Sequence, residues 1–419
     1  MKDTFEPADQ QADMLNAVSL AAHCLFSIEQ FEDCVTLLQP LIRVADEECC
    51  AKEITRLKAL LTREQMSNED AGVLASIYCT AGKCYDVLEH RARARRALSI
   101  CVHLDFSCVE AADYMVDNGL LTHTQKEHLF YDLFPNGNSG NVDALFSFYE
   151  LILSRTTSLS ASPQQQSSAS WTAHCAEQHF EQQNIDKAYH LARQAYSLDP
   201  YDVRGLSVYI ACLVSLKLKT ELFYLGHELV SSSPKAVLSW YAVGCYYWCC
   251  GKLDLAQKNI VKATKLDKRF ARAWILLGHV MAGQEESDQA ISAYRTAARL
   301  LPGDHRPMMF IAKELGRTGH LAPALHLLSD ALQLSCEDPG VLNELGVTYM
   351  GQGSMDLALK FFERAVQSLD LSLQVSSIDR SGKQKSSFSA DSDLPNSNPS
   401  IALCPSRSSI QSTSSRSCG

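Results

Sequence analysis

A chain of 419 residues is long enough for two or three ordinary domains or one extended array, and a hydrophobic content of 46% rules out a wholly disordered protein. The formal net charge of -10 excludes a sequence-independent nucleic-acid binder, which needs a basic surface. The opening MKDTFEPADQQAD has no apolar core, so no secretory signal is expected. The 16 cysteines are therefore read as free thiols in a reducing compartment.

Residues 1–150 read as a degenerate helical array. Val18, Ala22, Leu25, Phe31, Cys34 and Leu38 recur at helix-pair spacing, and Tyr78, Gly82, Tyr85, Ala94, Leu98 and Cys101 repeat it with better fidelity. Residues 44–70 are charged and expected to include a helix. Residues 107–133 look helical without a clean repeat. A Ser/Gln-rich linker is expected at 151–170, its core reading SRTTSLSASPQQQSSAS.

From 171 to 371 a period of 34 residues takes over, the length of a tetratricopeptide repeat. Trp240, Trp274, Met308 and Leu342 form one ladder. Val243, Leu277, Ile311 and Leu345 form a second, and Gly244, Gly278, Ala312 and Gly346 a third. Ala256, Ala290, Ala324 and Ala358 follow, then Ile260, Tyr294, Leu328 and Phe362, then Ala263, Ala297, Ala331 and Ala365. The same register runs back through Leu206 and Thr172, giving six regular repeats. Pro200, Pro234 and Pro302 close second helices, because proline lacks a donor and clashes with the preceding turn. The predicted fold is all-α: a tetratricopeptide superhelix, or α-solenoid, of stacked helix pairs. The serine-rich stretch 372–419 is expected to be disordered.

Candidate chemistry is sparse. His174, Glu177 and His179 in HCAEQH imitate a zinc-protease helix, but the histidines are five apart where the motif needs four, so they read as structural or surface residues. NGNSGN at 136–141 reads as a loop. No phosphate loop or paired CxxC knuckle occurs, and Cys49-Cys50, Cys249-Cys250, Cys79 and Cys84 have uninformative spacings. No catalytic residue, cofactor or metal is expected. Ser162-Pro163 and Ser233-Pro234 are minimal proline-directed phosphorylation sites, the second reading better as a helix stop.

Function is expected on the concave face, where the first helix of each pair lines a groove. Stepping one turn at a time selects Tyr241, Cys245 and Trp248, then Arg272, Ile275 and His279, then Arg306, Met309, Lys313 and Arg317, then Asn343, Val347 and Met350. This groove is aromatic at one end and basic in the middle, and suits an extended peptide with an acidic or polar segment. Lys313 and Asn343 only approach the paired arrangement of a chaperone-tail carboxylate clamp.

ELFYLGHELV (221–230), SWYAVGCYYW (239–248) and the unbroken block AWILLGHVMAGQEESDQAISAYRTAARLLPGDHRPMMFIAKEL (273–315) resemble the cell-division-cycle-sixteen family of anaphase-promoting-complex subunits. LAAHCLF (20–26) and GKCYDVLEHRARARRAL (82–98) resemble it more weakly. The resemblance implies a non-catalytic scaffold of a cell-cycle ubiquitin ligase, found in nucleus and cytoplasm. It implies sibling repeat subunits alongside, a homodimer through the N-terminal repeats, and a small accessory subunit held in the groove between about Tyr241 and Met350. A soluble peptide-binding adaptor or co-chaperone is the alternative. A glycosyltransferase repeat domain is a third, without a catalytic domain behind it.

Overall fold

A computed structural model describes residues 8–39, 68–134, 143–153, 168–334 and 338–381, and among them there are 19 α-helices and no strand. The N-terminal helices are α1 (Ala8–Ser27), α2 (Phe31–Leu38), α3 (Asn68–Val87), α4 (Arg91–Leu104), α5 (Val109–Asp117), α6 (His123–Leu133) and α7 (Asp143–Leu153). The regular pairs are α8 (Ala169–Glu181) with α9 (Ile185–Leu198), α10 (Val203–Ser215) with α11 (Lys219–Ser232), and α12 (Val237–Cys249) with α13 (Leu253–Leu266). They continue as α14 (Ala271–Gly283) with α15 (Ser287–Leu300), α16 (Arg306–Arg317) with α17 (Leu321–Leu334), and α18 (Pro339–Gly351) with α19 (Met355–Ser381). No described helix is long and apolar enough to cross a membrane.

From α12 to α19 each pair is locked by a small residue on its first helix facing a large one on its second. A side-chain carbon added to Gly244 would lie 2.5 Å from Ile260, one on Gly278 2.3 Å from the Tyr294 ring, and one on Gly346 2.6 Å from the Phe362 ring. Where the facing residue is the buried Leu328, alanine fits, as Ala312. Gly82 against Leu98, at 2.6 Å, shows the same lock in the N-terminal lobe.

The turn inside each pair is equally uniform. Gln183, Lys217, Gly251, Glu285, Gly319 and Gly353 all have positive φ, at intervals of 34 residues. This left-handed residue reverses the chain so that the next N–H bonds back to a carbonyl of the last helical turn, as Lys252 does to Tyr247 at 3.0 Å and His320 to Leu315 at 2.8 Å. Glu29 and Glu89 do the same after α1 and α3, which makes α1–α2 and α3–α4 repeat-like pairs.

First helices of successive pairs touch one another, while each second helix packs between its own first helix and the next. The first helices thus form the inner layer. The superhelix closes back on its beginning: Gly303 N–H donates to the Gly119 carbonyl at 2.7 Å, and Arg269 pairs with Asp86. Asp86 is buried and also accepts from Arg91 and, at 2.8 Å, from the Tyr114 hydroxyl.

Two expectations shift. Residues 151–153 and 169–170 are helical rather than linker, since Leu151, Ile152 and Leu153 are buried core residues and Ser168 is the N-cap of α8. The predicted tail is helical to Ser381, in keeping with Leu371, Val375 and Ile378 at helical spacing. The rest of the linker, most of the 44–70 segment, NGNSGN, Ser162-Pro163 and the tail from 382 lie outside the described residues.

Candidate functional site

The expected groove lies on the inner layer, along α12, α14, α16 and α18. Its best-defined feature is a run of rings crossing three repeats. Trp248 stacks on His279 with centroids 6.0 Å apart and planes inclined 25°, and His279 meets Phe310 edge to face at 4.6 Å. The His279 Nδ1 lies 2.7 Å from the hydroxyl of Tyr294, which fixes the imidazole plane from behind. Burial, with help from the Lys313 charge, lowers the His279 pKa to about 4, so the stack carries a neutral imidazole at neutral pH. Phe310 was not among the expected groove residues. It belongs to the stack because it follows Trp248 and His279 along a diagonal of the inner layer rather than at one repeat position.

Tyr241 and Cys245 do not face a partner. Both are buried, at 9% and 2% exposure, because α12 is packed between α10 and α14 and its face through Leu238, Tyr241, Ala242 and Cys245 fills that space. The Tyr241 ring meets Phe270 edge-on at 5.3 Å. Burial pushes up both the Tyr241 phenol and the Cys245 thiol, which leaves Cys245 an unreactive packing residue. Trp240, expected in the core, is half-buried at the seam with α13. Its indole N–H donates to the Pro234 carbonyl at 2.8 Å and the Lys262 ammonium sits 3.3 Å over its ring.

The basic middle of the groove is largely neutralised from within. Arg272 donates to Glu177 and to the Ser207 hydroxyl, both at 2.7 Å, reaching back across the inner layer to α8 and α10. Arg306 pairs with Asp304 at 2.9 Å, and that carboxylate holds the guanidinium firmly charged. Lys313 lies 3.5 Å from Glu344, and Arg317 lies 2.8 Å from the buried Glu314 and 2.7 Å from the Ser287 hydroxyl. Lys313 and Arg317 still expose their side chains by 56% and 41%, so they keep donors for a bound chain while the net field is weak. Ile275, Met309 and Asn343 are half-buried, and Val347 and Met350 are exposed at the far end.

HCAEQH is structural. His174 is buried, with its Nε2 3.0 Å from Asp113 and Arg204 beside it, and Arg204 also pairs with Asp117. Ser233 caps α11, and its carbonyl accepts from the Ser239 hydroxyl at 2.8 Å, consistent with a helix stop.

A two-helix unit of 34 residues, an alanine–glycine ladder and a ring-lined inner layer define a tetratricopeptide-repeat protein, and the family described as Tetratricopeptide repeat matches residues 241–305 and 311–371. Over 361 residues the chain is 32% identical to the Cell division cycle protein 16 homolog of Homo sapiens, covering 84% of this chain and 58% of that protein. It is 28% identical to the Anaphase-promoting complex subunit 6 of Arabidopsis thaliana, covering 83% and 67%. Among solved structures, the crystal structure of the APC/C hetero-tetramer Cut9-Hcn1 is 25% identical, covers 86% of this chain and 79% of that one, and superposes with a TM-score of 0.62. The chain is similar to the cell-division-cycle-16 and anaphase-promoting-complex-subunit-6 proteins over more than four fifths of its length, and it spans just over half the length of the human relative.

Proposed function

We propose that the chain is a non-catalytic scaffold subunit of the anaphase-promoting complex, holding partner subunits by its superhelix and so supporting cell-cycle-regulated ubiquitination. The observation that carries this reading is the likeness to Cell division cycle protein 16 over 84% of the chain, with the inner layer inside the matched region. The Trp248–His279–Phe310 stack offers flat apolar surfaces to an extended segment, and the exposed donors of Lys313 and Arg317 offer hydrogen bonds to its backbone or polar side chains. A small accessory subunit is the occupant this chemistry suits. A homodimer through the N-terminal repeats and residence in nucleus and cytoplasm belong to the same proposal.

The test is affinity purification of the full chain from dividing cells, with and without Trp248→Ala. Recovery of sibling repeat subunits, a cullin-like and a RING subunit supports the scaffold. Recovery of chaperones alone overturns it in favour of an adaptor. Trp248→Ala should release the small accessory subunit while the helical circular-dichroism signal is kept, and undiminished binding would move the grip away from the stack.

A further inference from the structure

The N-terminal lobe holds a cluster that scaffolding does not use. Cys79 on α3, Cys101 on α4 and Cys108 at the N-cap of α5 bring their sulfurs within 4.8 Å of one another, and the Cys101 and Cys108 sulfurs are 3.5 Å apart. Cys79 and Cys101 are buried and Cys108 is half-buried. Paired thiols in a core are usually only packing, and this lobe supplies an example in the fully buried Cys34 and Cys84, which touch across α2 and α3.

The triad differs from that pair in three ways. It offers three soft ligands rather than two. One of them stands at the N-cap position of α5, where helix N–H groups favour a thiolate. And the Lys83 ammonium, 2.5 Å from Glu110, adds its charge to the surroundings of Cys79 and Cys108. Zinc–thiolate bonds of about 2.3 Å in a tetrahedron set ligand sulfurs about 3.8 Å apart, a value inside the span the triad already shows.

We propose that Cys79, Cys101 and Cys108 form a zinc site of three thiolates, with water entering beside Cys108 as the fourth ligand. Zn²⁺ replaces the three thiol protons, which leave to solvent, with no change of oxidation state. The resulting centre carries one net negative charge, offset in part by the N-terminus of α5 and by Lys83, which it would share with Glu110. The ion ties α3 to the Asp105–Cys108 turn and so fixes the entry to α5. The absence of a CxxC motif does not weigh against such a site, because the ligands come from three segments brought together by the fold.

The test uses the full chain, reduced and stripped with a chelator, then titrated with Co²⁺ and with Zn²⁺ against a chromophoric competitor. One equivalent should bind, Co²⁺ should show a thiolate charge-transfer band with tetrahedral d–d intensity, and Zn²⁺ should raise the melting temperature. Cys101→Ser should weaken binding by more than about 100-fold, beyond what loss of an outer-shell partner costs. Cys108→Ser, at the half-buried rim, makes the same test with less risk to folding. Cys34→Ser should bind as the wild type does. No thiolate band in the wild type, a band kept in Cys108→Ser, or an equal loss in Cys34→Ser would overturn the site.

Discussion

From α8 to α19 the interior is built on alanine: Ala188, Ala256, Ala290 and Ala324 are fully buried, each in the same place in its repeat. From α3 to α7 the largest buried groups are Tyr78, Tyr149, Ile77, Leu98, Ile100, Met115 and Leu153, with no residue type recurring at a fixed interval. Tyr149 donates to the Phe106 carbonyl at 2.8 Å, and Thr122 and Gln125 make a capping box at the start of α6. The array thus repeats one contact many times, so a fault in one copy leaves the others intact. Beyond the turns and the Gly82–Leu98 lock that it shares with the array, the lobe makes its contacts singly. It joins the array through a few charged groups, the Gly119–Gly303 backbone bond and an apolar patch of Leu151, Trp171 and Cys175. Its tolerance to change should be correspondingly lower.

The sharpest way to break this contrast is Asp86→Ala. Removing the carboxylate leaves Arg91, Arg269 and the Tyr114 hydroxyl without their shared acceptor, and loss of one partner of a buried ion pair costs about 3–5 kcal/mol. Chemical denaturation of the full chain should show that loss. A change near zero would mean that the lobe is not anchored to the array through Asp86.

Gly278→Ala tests the repeated lock. The added methyl meets the Tyr294 ring, and such overpacking costs about 1–3 kcal/mol. At the same repeat position Ala312 is already accommodated, so Ala312→Gly should neither relieve strain nor stabilise. Equal responses at the two sites would show that the ring opposite residue 278 yields freely.

The smallest effect is a pH slope. The folded chain holds His279 near 4, against 6.5 when free, so between these values the unfolded chain binds a proton that the folded chain does not. Stability from this group is present above about pH 6.5 and is lost as pH falls toward 4. The melting temperature of His279→Phe, which keeps a ring in the stack, should fall less steeply than that of the wild type over this window. Parallel profiles would place the imidazole in water.

What the sequence made legible follows from this contrast. The alanine and glycine ladders were readable because packing enforces size at fixed intervals, and the two-helix unit followed from them. The left-handed turn ladder was half hidden: glycine marks it at Gly251, Gly319 and Gly353, but Gln183, Lys217 and Glu285 occupy the same backbone conformation. In the groove, helical stepping found the inner face but could not tell how tightly neighbouring helices close on it, so Tyr241 and Cys245 were expected at the surface. The partners of the basic residues were illegible for another reason. Asp304 lies in a loop, Glu344 one repeat ahead and Glu177 well behind, and only the superhelix brings them into range.

The contact between Arg269 and Asp86 spans 183 residues of sequence. An open solenoid behaves as a spring, lengthening by small rotations shared among its repeats. Here one coil is clipped to the next at Asp86–Arg269 and Gly119–Gly303, so the pitch of that turn is set and cannot lengthen without breaking those bonds. The clip also carries a kinetic cost. It forms only after the intervening pairs are stacked, because closing so long a loop of unfolded chain is entropically unfavourable.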